Sequence, residues 1–338
     1  MSLQEHISLK ALNTFGIEAQ ARYYSLINDI PTLQQLLLRP DLQALPHLTL
    51  GSGSNILFIQ DFPGWVIHLS VSSIEKIDQD PSSVCLKVGA GLDWHTLVNY
   101  CIQQGYAGIE NLSLIPGTVG AAPIQNISAY GAELSEVFES LEAIEVSTGA
   151  TKTFYKSDCA FGYRESVFKN ELQGQYVISY VTLRLQKEPT FKTEYAGIKE
   201  TLAAMNVEEL SLQAISDAII RIRQSKLPNP SKAGNAGSFF KNPVLSKSFF
   251  EELQPQYPNM PYFDSPEDQV KIPAAWLIEE SGWKGYREGP VGVHPNHALV
   301  LVNYGGATGQ AVYQLAQKIQ QSVQDKFGIT LVPEVNII

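Results

Sequence analysis

The stretch Ile115-Pro116-Gly117-Thr118-Val119-Gly120-Ala121-Ala122-Pro123, continued by Gln125-Asn126-Ile127-Ser128-Ala129-Tyr130-Gly131, is rich in small residues. The wider segment 107–135 holds many Gly, Pro, Ser and Asn residues yet almost no charge. Solvated loops carry polar residues, so an uncharged loop of this length is packed against something. Small residues let the backbone approach a ligand closely, and successive N–H groups form anion-binding concavities. A second small-residue loop, Gly51-Ser52-Gly53-Ser54-Asn55, lies between two strand-like runs. A tight turn alone would explain that shorter loop. Together, two such loops suit a pyrophosphate.

Strands surround both loops. Leu48-Thr49-Leu50, Ile56-Leu57-Phe58-Ile59, Val66-Ile67-His68-Leu69 and Val84-Cys85-Leu86-Lys87-Val88 are short apolar runs. A short helix with Pro31 at its start fits 31–38, and Asp93 is placed to cap a helix running to about 104. Strands are expected again at 137–147 and 176–186. Residues 190–230 turn helical, with Leu212, Ile215, Ile219 and Ile222 at helical spacing, until Leu227-Pro228-Asn229-Pro230 breaks the pattern. Beyond that boundary come a Gly-rich turn at 234–237, a helix at 273–281, a strand at 298–303 and a long helix at 307–327. The long helix aligns Val312, Leu315, Ile319, Val323 and Phe327 on one face, with Gly328 as its stop. A last strand, Ile329 to Val335, closes the chain. Strands come first and mixed elements follow, without regular βαβ alternation, so the fold class is α+β.

At 338 residues the chain has room for two or three domains. Its 44% hydrophobic share supports sizeable cores, and its net charge of −10 argues against nucleic acid or an anionic membrane as main partner. A small phosphate site is not excluded, since it needs only a few donors. No apolar run reaches membrane-spanning length, and Met1 to Leu12 lack a signal-type apolar core, so a cytoplasmic location is expected. Cys85, Cys101 and Cys159 are isolated and form no CxxC, which suits packed thiols and no metal site. Neither Gly51 to Asn55 nor Gly89-Ala90-Gly91 completes a dinucleotide fingerprint, and Walker, nucleophile-elbow and HExxH patterns are absent.

A third cluster, Gly234-Asn235-Ala236-Gly237-Ser238-Phe239-Phe240-Lys241-Asn242-Pro243, puts a serine after a glycine turn. As a nucleophile Ser238 would need a histidine base; as a proton donor it needs only position. Tyr163-Arg164 and Pro333-Glu334 are unremarkable alone, and His294 and His297 read as a structural turn.

In order, these segments resemble the UDP-N-acetylenolpyruvoylglucosamine reductases, the MurB family. The resemblance runs from Asn13-Thr14-Phe15-Gly16 through both glycine loops, Phe161-Gly162-Tyr163-Arg164 and the Ser238 cluster. It ends at Ala298 to Asn303 and Leu331-Val332-Pro333-Glu334-Val335. It implies a two-part FAD-binding domain of the vanillyl-alcohol-oxidase (PCMH) type and a C-terminal α+β substrate-binding domain. The implied division is 1–70 joined by the C-terminal strand 329–338, then 71–228, then 229–328. Non-covalent FAD would lie on Gly51, Ser52, Gly53, Ser54, Asn55, Pro116, Gly117, Thr118, Gly120, Gln125, Asn126, Tyr130 and Gly131. The family usually has glycine where this chain has Ser128.

The implied catalytic residues are Arg164, Ser238 and Glu334. Substrate contacts carry over to Tyr163, Lys226, Asn242 and Lys284, with Tyr195 and Tyr262 as candidates to close over the nucleotide. The implied reaction is reduction of UDP-N-acetylglucosamine enolpyruvate to UDP-N-acetylmuramate, with NADPH as hydride donor. Arg164 suits a carboxylate because its planar fork grips in two-point fashion. Glu334 suits the developing enolate if it is protonated and donates a hydrogen bond. The resemblance implies a monomer. Two other readings fit the loops: another PCMH-type flavin oxidoreductase, and a non-enzymatic nucleotide-sugar binding protein. The second would not need Arg164, Ser238 and Glu334 together.

Overall fold

The computed structural model describes residues 3–195 and 197–338. The chain forms two compact units. One comprises the N-terminal residues up to Ile7 with Ala21–Ser52 and Pro63–Ser225; the other comprises Ser8–Gln20, Gly53–Phe62 and Lys226–Ile338.

The first unit carries two sheets. A four-stranded sheet has the order Gln4–Ser8, Gln20–Ile27, Phe62–Leu69, His47–Leu50, the last two parallel with Leu48 opposite Val66. A five-stranded antiparallel sheet has the order Thr151–Tyr155, Phe138–Glu145, Tyr176–Gln186, Ser83–Gly89, Ile74–Gln79. Its middle pairs Leu183 with Leu86 and Val181 with Val88, all fully buried. Helix Trp94–Gln104 starts where Asp93 accepts the Thr96 N–H at 2.8 Å and stops at Gly105 in the left-handed region. It buries Trp94, Leu97, Val98 and Cys101, the spacing of one helical face. Helices Ile198–Ala204 and Leu212–Lys226 make a small core of their own from Ile198, Leu202, Ile215, Ala218, Ile219 and Ile222, against which Tyr130 packs.

The second unit is organised by helix Gly309–Phe327. Thr308 caps it, Gly328 ends it, and the five apolar residues expected to share a face are all buried. A three-stranded antiparallel sheet joins Arg287–Glu288, Val291–Val293 and Leu301–Asn303. Asn336–Ile337 pairs in parallel with Ile56–Leu57.

The strand expected over Ile329 to Val335 is different in detail. Residues 332–334 pair with 239–241 only through an isolated bridge at Phe240 and Pro333, and the regular strand begins at Asn336. Pro333 has no N–H to continue a ladder, which accounts for the gap. Strands Ile74–Gln79 and Thr151–Tyr155 have no counterpart in the sequence reading. They are exposed sheet edges, so they lack the apolar alternation that marks a half-buried strand. Among the described residues, no helix is long and apolar enough to cross a membrane.

Two expectations follow from burial. Cys85, Cys101 and Cys159 are buried, and burial pushes the Cys101 and Cys159 thiols up to about 12. All three should resist a thiol reagent at pH 8 until the protein is unfolded. Burial also pulls His68, His95 and His294 below the usual histidine value. The unfolded chain then binds more protons than the folded one below about pH 6.5, so stability falls as pH drops through that value. Thermal melts at pH 7.5, 6.5 and 5.5 should show the loss. It should be smaller for His95→Asn, which keeps an acceptor and loses the titration.

Candidate active site

In the first unit, Gly51, Ser52, Pro116, Gly117, Thr118, Gly120, Gln125, Asn126, Tyr130, Gly131, Tyr163, Arg164 and Tyr195 are all present. The two glycine loops meet there. A side chain at Gly51 would place its Cβ 2.4 Å from the Thr118 hydroxyl oxygen. The loop around Thr118 is tied down in turn: Trp94 N–H donates to Gly117 O at 3.0 Å, and Gly120 N–H donates to Ala90 O at 2.9 Å.

Buried polar side chains shape the following segment. Asn111 donates to the carbonyls of Tyr130 (2.8 Å) and Lys192 (3.0 Å), fixing the Tyr130 turn against 192. Asn126 is buried, donates to Glu133 and to Gly162 O, and accepts from Ser135 N–H. Its amide is therefore engaged within the protein.

Tyr130 has a left-handed backbone, φ +51°, and its ring meets Tyr195 edge-on at 5.5 Å. Tyr195 is itself exposed. Arg164 is also left-handed, φ +57°. Its Nη1 donates to the Ser128 hydroxyl at 2.8 Å and its Nη2 to the Ser128 carbonyl at 3.1 Å.

The sequence reading did not single out Arg223. It lies on helix Leu212–Lys226, hydrogen-bonds the Tyr130 phenol and feels the charge of Arg164. Burial pulls its guanidinium below the usual value, and Arg164 adds to this while Tyr130 opposes it. Burial pushes the Tyr130 phenol up, with Arg223 opposing. The signal for Arg223 was present: it is a cation four residues after Ile219, beside the buried stripe. His95 is a second omission; its Nδ1 accepts the Leu114 N–H at 3.0 Å.

The second unit holds Gly53, Ser54, Asn55, Lys226, Ser238, Asn242, Tyr262, Lys284 and Glu334. Ser238 and Glu334 come together through Phe239. Phe239 N–H donates to Leu299 O and Phe239 O accepts from Glu334 N–H, both at 2.8 Å. The segment containing Ser238 thus runs between two others, one carrying Leu299 and the other Glu334. Asn55 donates to Glu334 O at 3.2 Å, and Asn336 donates to Asn55 O from both backbone and side chain. Asn242 accepts the Ala274 N–H at the start of helix Ala274–Glu280. The other three are not joined to Ser238 by any described contact. Lys284 pairs with Glu279 at 2.7 Å, Tyr262 packs on Phe250 and Lys226 is exposed at a helix end.

Neither glycine loop contains a carboxylate, and at their meeting Gly51 leaves room for the Thr118 side chain. That donor set fits a diphosphate such as that of FAD.

Comparison with known proteins is consistent with this geometry. A model of an FAD binding domain matches residues 29–154, and a model of the UDP-N-acetylenolpyruvoylglucosamine reductase C-terminal domain matches 229–338. The chain is 61% identical to the UDP-N-acetylenolpyruvoylglucosamine reductase of Amoebophilus asiaticus, with 100% of each chain covered. It belongs to the UDP-N-acetylenolpyruvoylglucosamine reductase family. The family's enzymes from Flavobacterium johnsoniae and Pseudomonas putida are 45% and 44% identical, covering 100% and 99% of this chain and 100% and 98% of theirs. The crystal structure of the family's enzyme from Thermus caldophilus shares the fold at a TM-score of 0.70 and 24% identity, covering 99% of both chains. The chain is accordingly an FAD-dependent oxidoreductase of α+β class.

Gly51→Ala tests the meeting of the loops. Forcing a methyl against Thr118 should cost about 1–3 kcal/mol of stability and lower the flavin retained on purification. Melting temperature and the flavin-to-protein absorbance ratio check both.

Proposed function

We propose that the chain reduces UDP-N-acetylglucosamine enolpyruvate to UDP-N-acetylmuramate, a step of peptidoglycan precursor synthesis, with NADPH as hydride donor. The observation that carries the reading is the backbone pairing of Phe239 with Glu334, which sets Ser238 and Glu334 on neighbouring segments. FAD, when bound, would supply the two-electron redox chemistry between NADPH and the enolpyruvyl group. Gly51, Ser52, Gly53, Ser54, Asn55, Gly117 and Thr118 would hold it by backbone donors, with Pro116 and Gly120 shaping the loop beneath it. Gln125, Asn126, Tyr130 and Gly131 continue its wall.

The protein's task is to orient the alkene and manage charge. One hydride and one proton add across the double bond, and negative charge develops at the α-carbon and in the carboxylate. Arg164 holds that carboxylate with its charged fork. Glu334, together with Arg164, stabilises the developing enolate. Ser238 delivers the proton to the α-carbon. A hydroxyl is a weak acid, but a carbanion-like centre is a far stronger base, so position outweighs acidity. Tyr163, Tyr195, Lys226, Asn242, Tyr262 and Lys284 serve the nucleotide, the lysines as charges toward its phosphates. Asn242 would do so while capping a helix, which fixes its amide.

The reading carries a three-part working division: 1–70 with 329–338, 71–228, and 229–328. Supporting it, one sheet lies within 4–69 and another within 74–186, and Asn336–Ile337 pairs with Ile56–Leu57. It also carries a cytoplasmic location, where nucleotide sugars and NADPH are supplied, and a monomer.

Ser238→Ala separates the steps. Under anaerobic conditions NADPH should still bleach the flavin band at the wild-type rate. Recovery on adding the enol ether should slow by roughly 10²–10⁴-fold. Equal slowing of both half-reactions contradicts the role of Ser238. Bleaching without recovery in the wild-type protein rejects the substrate.

A further inference from the structure

Both terminal nitrogens of Arg164 rest on one residue. Nη1 reaches the Ser128 hydroxyl at 2.8 Å and Nη2 reaches the Ser128 carbonyl at 3.1 Å. A single hydrogen bond would fix the distance of a guanidinium but leave its plane free to rotate. Two bonds to adjacent oxygens fix both.

The grip acts against a force. Arg223 brings a second guanidinium whose charge interacts with that of Arg164, and its buried Nε has no hydrogen-bond partner among the described residues. Like charges in a partly desolvated wall push apart. The Arg164 cation lies 5.7 Å from the Tyr163 ring centroid, and its left-handed backbone is one that a non-glycine residue adopts only when its surroundings hold it. Glycine at 128 would keep the carbonyl contact and lose the hydroxyl, which is half of the grip.

We propose that Ser128 is a positioning residue for the reaction: its hydroxyl and carbonyl oxygens together hold the Arg164 fork in the orientation that receives the substrate carboxylate. The proposal rests on the reading of Arg164 as the carboxylate-binding group. It adds a residue that touches Arg164 and acts through it.

The test compares Ser128→Ala, Ser128→Gly, Ser128→Thr, Arg164→Lys and the double variant Ser128→Ala/Arg164→Lys as FAD-loaded enzymes. One readout is flavin reoxidation at saturating enol ether. The other is heteronuclear NMR of the arginine side chains, with the Arg164 signals identified by their loss in Arg164→Lys. Ser128→Ala and Ser128→Gly should slow reoxidation about 10-fold, the scale of one hydrogen bond to a charged group, while Ser128→Thr recovers most of the rate. The double variant should be no slower than Arg164→Lys alone. Arg164 signals that are sharp in the wild type and in Ser128→Thr should broaden in Ser128→Ala.

Wild-type rate and wild-type signals in Ser128→Ala overturn the proposal, and so do effects that multiply in the double variant. If Ser128→Ala does not fold, Ser128→Gly carries the same comparison without adding an atom. A slow Arg164→Lys beside a wild-type Ser128→Ala sinks the Ser128 inference alone. A fully active Arg164→Lys sinks the reading of Arg164 beneath it.

Discussion

Backbone laid directly on backbone is the constraint on which the C-terminal unit depends. A Cβ at Gly53 would lie 2.0 Å from Leu12 O, and one at Gly234 would lie 2.2 Å from Phe15 O. No side chain fits at either place. The segment between those two contacts is stiffened from inside, where the buried Asn13 amide bonds Leu9 O, Ile17 O and Ile17 N–H. Thr14 N–H reaches Gly53 O, while Asn303 reaches Phe15 O and exchanges backbone bonds with Gly234. Ser238 lies four residues beyond Gly234 and Asn55 two beyond Gly53, so both inherit their positions from this clamp.

The N-terminal unit solves a different problem. A long uncharged loop buries many backbone polar groups, and each would cost about 1–3 kcal/mol if left unpaired. Buried side chains answer locally. Trp94 Nε1 donates to Leu112 O, and the Ser113 hydroxyl meets Ser216 and Glu110 O. Asn111 and Asn126 supply four further bonds to carbonyls and neighbouring groups. The loop is therefore held by its own polar interior.

How much of this could be read from sequence depends on range. Helices with a cap, an apolar face and a stop were legible, as with Asp93 to Gly105 and Thr308 to Gly328, because every signal lies within a turn or two. Edge strands were not, since Ile74–Gln79 has no buried face to pattern. The glycine loops announced closeness to something, but not that Gly51 would meet Thr118. Nor does any local pattern say that Phe239 pairs with both Leu299 and Glu334. Family resemblance pointed to Arg164, Ser238 and Glu334, while the hands that hold them emerged only in three dimensions. Arg223 was missed because it looks like the polar edge of an amphipathic helix.

The C-terminal unit is assembled from three stretches far apart in the chain: 8–20, 53–62 and 226–338. Asn303 and Phe15 are 288 positions apart, and Asn55 and Glu334 are 279 apart. A ribosome delivers the first two stretches long before their partners exist. Phe15 and Phe58, 1% and 0% exposed in the finished unit, must meanwhile face water or a chaperone. Contacts of such separation close slowly, because loop entropy is lost before any contact rewards it. The unit thus becomes complete only once residues 226–338 have been made. A chain cut short before Leu331 would lose the neighbour of Phe239 while keeping nearly all its mass.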